Sequence, residues 1–284
     1  MPQIRVWKMK IKGTQFILDE LEFSPQLDTF DRISAKLPGG AYTTFRTFEH
    51  NNALRLENHF SRLEHTAELA ECPVSFSHEQ VRGAIRQILS NFLSYEDTRI
   101  RVSVDLEKRI GELFLLVEPL SIPSEKDYQK GVGVVTCDLQ RHNPKAKLTD
   151  HIKEAINIHK DFTADINEAL LISEDGYILE GISSNFFAIK DGRMYTAEKG
   201  ILYGITRSLV LEEAHKLSIP VIFNPICISQ TSELDETFIT SSSRAILPVV
   251  RIESKLIGNG KPGEITKKLM KSYANRVRSE VKSI

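Results

Sequence analysis

The sequence predicts an α+β fold in two parts, and three observations carry that prediction. Apolar segments with a period of two recur in pairs across short turns, as in Ile100–Leu106 followed by Leu113–Val117. Helical stripes stand apart from the strands, with hairpins and no strand–helix–strand alternation. Residues 119–130 hold two prolines, several charges and no period. They read as a linker between a small N-terminal domain, residues 1–118, and a larger C-terminal one, residues 131–284.

Before residue 38 the pattern is blurred: Val6, Met9 and Ile11 fit a strand, and Phe30–Lys36 fits either class. Pro38-Gly39-Gly40 breaks the chain, because Pro fixes φ and Gly reaches positive φ. Ala41–Phe48, rich in Thr, Phe and Tyr, reads as a strand, Asn51-Asn52 as a turn and Ala53–Leu56 as a short return strand. A helix over Glu57–Ala70 places Phe60, Leu63 and Ala67 on one face. The next opens at Ser77 with Gln80 three residues on, a capping-box pattern, and carries the stripe Val81, Ala84, Ile85, Ile88, Leu89 and Phe92. Beyond the linker, Val132–Cys137, Ala169–Ile172, Tyr177–Leu179 and Phe186–Ile189 read as strands, with hairpin turns at Asp175-Gly176 and Asp191-Gly192. A helix over Ile205–Leu217 precedes strands at Val221–Phe223, Thr237–Thr240 and Pro248–Ile252. Asn259-Gly260 is a turn, and a last helix over Glu264–Val281 repeats Ile265, Leu269, Tyr273, Val277 and Val281 every four residues.

The 284 residues suffice for a sizeable core without a metal or disulfide staple. Thirty-seven Lys and Arg against 38 Asp and Glu leave a net charge of −1, which removes the electrostatic reason to expect nucleic acid as partner. Cys72, Cys137 and Cys227 are far apart and odd in number, which argues against a disulfide framework or a cysteine zinc site and for a reducing compartment. The basic start has no apolar run for a signal peptide, and no stretch approaches the ~20 apolar residues of a membrane span. The expected location is the cytoplasm.

Several motifs fail. Gly131-Val132-Gly133 lacks the third glycine of a dinucleotide loop, and Gly258-Asn259-Gly260-Lys261 lacks phosphate-loop spacing. His142, His151 and His159 are too sparse for a helical metal pair, and hydrogen-bonded or solvated side chains explain the histidines better than metal ligation. Four segments survive, each with an ordinary alternative. Ile205-Thr206 open a helix whose free N–H groups attract an anion, or Thr206 merely caps it. The run Thr240-Ser241-Ser242-Ser243-Arg244 ends a strand and can line a phosphate cup or form a solvated turn. Arg62 beside an apolar helix face can clamp a phosphate or lie on the surface. Glu180, in Glu180-Gly181-Ile182-Ser183-Ser184-Asn185, can pair with a protonated ring nitrogen or be a plain loop acid.

Taken in order, GGAYTTFRTFEHNNALRLENHFSRLEHTAELA, RHNPKAKLTD, EALLISEDGYILEGISSNFFAIKDGRMYTA, LYGITRSLVLEEA, ETFITSSSRAILPV and GNGKPGEIT resemble the fold-type-IV pyridoxal-phosphate enzymes over about residues 39–265. That group includes branched-chain and D-amino-acid aminotransferases and aminodeoxychorismate lyases. The resemblance implies a large domain with a pseudo-barrel and a homodimer with pyridoxal 5′-phosphate between the small and large domains. Lys147, by its interval before the EALLI strand, matches the lysine that forms the internal aldimine, with Lys145 and Lys153 as neighbouring candidates. Glu180 matches the glutamate at the pyridine nitrogen, Arg62 the phosphate arginine, Ile205 and Thr206 the phosphate amides and hydroxyl, and Ser242 the second phosphate hydroxyl. Arg101 and Arg109 align with substrate-side arginines. Three departures stand out: Gly39 replaces the acid of the family's entry motif, Thr43 replaces its glutamate, and His151 stands near the position of a cofactor-contacting tyrosine.

The implied activity is transfer of an amino group between an amino acid and a 2-oxo acid. A lyase releasing pyruvate and a non-catalytic member of the fold are the two alternatives that the shared motifs leave open.

Overall fold

The computed structural model describes residues 4–92, 97–139, 143–160, 162–163 and 165–284. In chain order the elements are β1 (Arg5–Lys12), β2 (Gln15–Leu21), α1 (Phe30–Ser34), β3 (Gly40–Phe48), β4 (Asn52–Ala53), α2 (Leu56–Leu69), α3 (His78–Leu89), β5 (Thr98–Asp105) and β6 (Leu113–Pro119). Then come α4 (Glu125–Lys130), β7 (Val132–Cys137), α5 (Asp150–His159), β8 (Ile166–Ile172), β9 (Ile178–Gly181), β10 (Asn185–Lys190) and β11 (Arg193–Tyr195). The chain ends with α6 (Ile205–Lys216), β12 (Val221–Ile222), β13 (Glu236–Ser241), β14 (Ala245–Ile252), β15 (Lys255–Leu256), α7 (Glu264–Glu280) and β16 (Lys282–Ser283). Contacts divide it into two compact units. The first is Met1–Ser121, Ala146–Asn157 and Glu280–Ile284; the second is Ile122–Lys145 and Ile158–Ser279. The segment carrying Lys147, expected in the C-terminal domain, thus belongs to the first unit, and residues 125–130 of the expected linker form a capped helix in the second.

The first unit is an antiparallel sheet in the order β16-β4-β3-β5-β6-β1-β2. Alternation along each strand decides what faces what. Ala41 and Phe45 of β3 and Ile100, Val102 and Val104 of β5 pack with Leu56, Phe60 and Leu63 of α2 and with Val81, Ile85 and Ile88 of α3. The opposite face of the sheet carries a smaller cluster of Val6, Phe114 and Leu116 with Phe30 and Ile33 of α1. The capping residue expected at Ser77 accepts from the Gln80 N–H at 3.3 Å. The one-turn α1, unreadable in the sequence, is started by Thr29, whose hydroxyl accepts from the Arg32 N–H.

The second unit closes β10-β13-β14-β7-β8-β9 into a barrel, because β9 pairs back onto β10 through Glu180 and Asn185. Val132, Val134, Leu170, Phe186, Ile239, Leu247 and Val249 form its main apolar cluster. Hairpins dominate, as expected, but β7 pairs parallel with both β8 and β14. The parallel pairing of β7 with β8 is a correction to the hairpin reading without strand–helix–strand alternation. Parallel pairing of distant strands leaves no local signal in the sequence, and α5 itself buries His151, Ile152 and Ala155. Among the described residues no helix is long and apolar enough to cross a membrane.

Candidate functional site

In the first unit, residues 147–149 lie antiparallel along the open end of β3. The Tyr42 N–H donates to the Lys147 carbonyl at 2.9 Å, the Thr149 N–H donates to the Gly40 carbonyl, and the Gly40 N–H donates to Thr149 Oγ1. Gly40 is required here by a close backbone approach, and Gly39 leaves room for a side chain that caps its N–H. A Cβ at Gly39 would run into the Glu107 carboxylate, and one at Gly40 into the Val104 carbonyl. Opposed residues on paired strands share a face. Lys147 and Tyr42 are opposed, and Lys147 Nζ lies 4.7 Å from the Tyr42 ring centroid. Of the three lysines weighed from sequence, Lys147 is half-buried while Lys145 and Lys153 are more open, and Lys153 pairs with Asp150.

On the α2 side of β3, Arg62 Nη2 donates to Thr43 Oγ1 at 2.8 Å, and Thr43 Oγ1 lies 2.9 Å from His59 Nδ1. A guanidinium can only donate, so the threonine proton turns to the imidazole and Nδ1 accepts it. Burial holds His59 well below its ordinary pKa, and the charges of Arg62 and Lys147 push it the same way. The imidazole is therefore neutral, as this acceptor role requires. Thr43, the residue that departs from the family's acid, is thus the middle of an Arg62–Thr43–His59 chain that the sequence did not disclose.

Arg101 and Arg109 do not converge. Arg101, buried on the α1 face of β5, donates to Thr44 Oγ1, Ser34 Oγ and Asp31 Oδ1, and stacks 4.8 Å from the centroid of Tyr42. Arg109 sits in the β5–β6 turn with its side chain 71% exposed, 3.7 Å from Glu112. His151 is buried in the first turn of α5, 3.6 Å from Glu154. Arg141 and His142 lie outside the described residues.

In the second unit Glu180 is 1% exposed. Its Oε2 accepts from Asn185 Nδ2 at 3.2 Å and from the Leu202 N–H at 3.0 Å, and Asn185 Nδ2 also donates to the Leu202 carbonyl. This clasp ties the end of β9 to the segment leading into α6. Gly204 is the N-cap of α6 and makes no side-chain cap, so Thr206 does not cap the helix. Ile205 and Thr206 fill the first turn, where N–H groups without intrahelical partners and the helix dipole favour an anion. A side chain at Gly204 would strike Asn185 Oδ1.

Ser242 lies half-buried in the turn joining β13 to β14. That turn is anchored by a group the sequence reading missed. Arg244 donates to Glu168 Oε2 and Ser183 Oγ at 2.7 Å each and to Asn167 Oδ1 at 2.9 Å. Glu168 Oε2 also accepts from the hydroxyls of Ser183 and Ser184. Burial by itself raises the Glu168 carboxyl, but the Arg244 charge and the Arg244 and serine hydrogen bonds outweigh it, and its pKa falls below the ordinary value. The available signal was an isolated acid opening the apolar run Glu168-Ala169-Leu170-Leu171-Ile172. Among the described residues no cluster of His, Cys, Asp and Glu is placed to hold a metal ion.

Comparison with known proteins gives one consistent match. Residues 40–252 fit the family model described as Amino-transferase class IV. A probable branched-chain-amino-acid aminotransferase of Thermotoga maritima is 28% identical over 251 residues, 86% of this chain and 88% of the relative. A D-alanine aminotransferase of Bacillus licheniformis is 28% identical over 254 residues, 85% of this chain and 88% of the relative. The crystal structure of a putative branched-chain amino acid aminotransferase from Thermotoga maritima superposes with a TM-score of 0.77 at 27% identity, covering 97% of this chain and 96% of that one. A branched-chain amino acid aminotransferase of T.th., solved with pyridoxamine 5′-phosphate, shares the fold at a TM-score of 0.78 and 21% identity, covering 98% of each chain.

Proposed function

Since the chain belongs to the class IV amino-transferases and is a pyridoxal-phosphate-dependent transaminase, we propose that Lys147 is the residue that carries the cofactor and moves the proton. The observation that supports this most is the seating of Lys147 on β3, half-buried and held through its own backbone, while its two neighbouring lysines are more open. The remaining residues fit the group. Glu180 offers a buried carboxylate with one oxygen already fixed, and α6 opens on Gly204 with no side-chain cap on its free N–H groups.

Pyridoxal phosphate supplies an aldehyde carbon and a ring that accepts the electron pair of the substrate Cα–H bond. Glu180 would keep the nitrogen of a bound ring protonated, which favours negative charge in that ring. The Ile205 amide and the Thr206 and Ser242 hydroxyls would hold the phosphate, and Arg62 is assigned the same anion by the family resemblance. With the cofactor bound, the Lys147 amine would serve as general base for the substrate Cα proton and, once protonated, as the acid that delivers it to the cofactor carbon on the other side of the amino nitrogen. His59 keeps the Thr43 hydroxyl turned away from Arg62, so the threonine oxygen orients the guanidinium. By the family resemblance, His151 is assigned to the cofactor and the buried Arg101 to the substrate, with the exposed Arg109 as a second, separate substrate-side arginine. The substrates are an amino acid and a 2-oxo acid. The enzyme is a homodimer of the cytoplasm, a location supported by three free cysteines.

Borohydride reduction of the cofactor-loaded protein followed by peptide mapping tests the assignment. Label is expected on Lys147, and Lys147→Ala is expected to lose transamination by roughly 10²–10⁴-fold or more, the worth of a positioned proton-transfer group. Label on Lys145 or Lys153 would overturn it.

A further inference from the structure

We infer that Thr240 is an unrecognised cofactor contact, its hydroxyl kept open for the bound pyridoxal phosphate at a cost in stability to the empty protein. This inference rests on the reading of Glu180 and α6 given above and deepens it.

The register places the residue. Glu180 of β9 opposes Asn185 of β10, and Asn185 opposes Thr240 of β13. Directly opposed residues of antiparallel strands project to one face, so the three side chains form a row across the barrel wall. Two members of that row are spoken for. Glu180 accepts from Asn185 and from the Leu202 N–H, and both protons of Asn185 Nδ2 are spent on Glu180 and the Leu202 carbonyl. Asn185 in turn stands against Gly204, the N-cap of α6. The row therefore begins at the carboxylate proposed for the ring nitrogen and runs under the helix start proposed for the phosphate.

Thr240 is the third member. It is 1% exposed, and its Oγ1 is fully buried with no hydrogen-bond partner among the described residues. Stranding a buried hydroxyl costs about 1–3 kcal/mol, and native proteins rarely do so without a reason. Packing does not require the oxygen here. Valine has the same shape, suits a strand and would remove the deficit. A second buried atom close in sequence to the helix start, Arg207 Nε, is in the same condition, although Arg207 Nη2 donates to the Ala197 carbonyl. Polar groups left unsatisfied beside an anion-attracting helix start mark a surface completed by a ligand.

Thr240→Val and Thr240→Ser, compared with the unaltered protein, test the inference through two measurements that a structural role would move together. Apo protein is prepared by removing the cofactor, its melting temperature is recorded, and pyridoxal phosphate affinity is measured by equilibrium dialysis. Thr240→Val is expected to melt higher than the unaltered apo protein and to bind pyridoxal phosphate roughly 3- to 10-fold more weakly, the worth of one neutral hydrogen bond. Thr240→Ser is expected to restore the affinity. Equal affinity for Thr240→Val and the unaltered protein overturns the inference, as does a lower apo melting temperature for Thr240→Val, which would mean that the hydroxyl serves the fold. If the unaltered protein binds no pyridoxal phosphate, the functional reading itself fails, and the inference with it.

Discussion

At the scale of single residues, the proposed site rests on small groups whose hydrogen bonds fix the direction of a proton. Asn185 and the Leu202 amide pin one oxygen of Glu180, which leaves the carboxylate little freedom to turn. Glu180→Gln keeps the shape and removes the charge. It is expected to lower kcat by roughly 10- to 150-fold, the loss of a hydrogen bond to a charged group of about 1.5–3 kcal/mol, while the borohydride label stays on Lys147. A kcat within about twofold of the unaltered enzyme would remove Glu180 from the proposed mechanism. Glu180 and Arg62 stand out as candidates in the sequence because their neighbours form recognisable strings. The partners Thr43 and His59 do not, since a threonine in a strand and a histidine in a helix read as ordinary residues until the elements pack.

At the scale of elements, loops are held to loops by one buried carboxylate. Glu168 at the start of β8 receives Ser183 and Ser184 from the passage after β9 and Arg244 from the β13–β14 turn. Both passages adjoin residues proposed to hold the cofactor, Glu180 on one side and Ser242 on the other. Gly181 belongs to the same arrangement, since a Cβ there would meet Ser184 Oγ and the Glu168 side chain. Arg244→Met strands the Glu168 charge and is expected to cost about 3–5 kcal/mol in a denaturant titration. The double variant with Glu168→Gln is expected to recover part of that loss, because the uncompensated charge is gone. A single variant as stable as the parent would mean that the ion pair does not anchor the turn.

At the scale of the whole molecule, His59 links folding to pH. The folded protein keeps this imidazole neutral well below its ordinary pKa of 6.5, whereas the unfolded chain takes up a proton there. Stability from this group is therefore complete above about pH 6.5 and is lost as pH falls below it, at up to about 1.4 kcal/mol per pH unit. His59→Asn retains an acceptor but no titration. Unfolding free energies at about pH 7, 6 and 5 are expected to fall more steeply for the parent than for the variant, and parallel slopes would show that His59 does not carry the linkage.

The sequence by itself determined the class and most elements. Strands such as Val132–Cys137 and helices such as Ile205–Lys216 follow from periodicity, turn residues and caps, which are local effects acting over a few residues. It also determined the ordered strings that mark the family. The tertiary structure alone decided that residues 146–157 join the first unit, that β7 runs parallel to β8 and β14, and that Arg244 meets Glu168 across 76 positions. It alone decided that Thr240 lies beside Asn185 with no partner for its hydroxyl among the described residues. These are pairings between distant parts of the chain, fixed by register and by the burial of polar groups, and neither quantity exists until the strands have met.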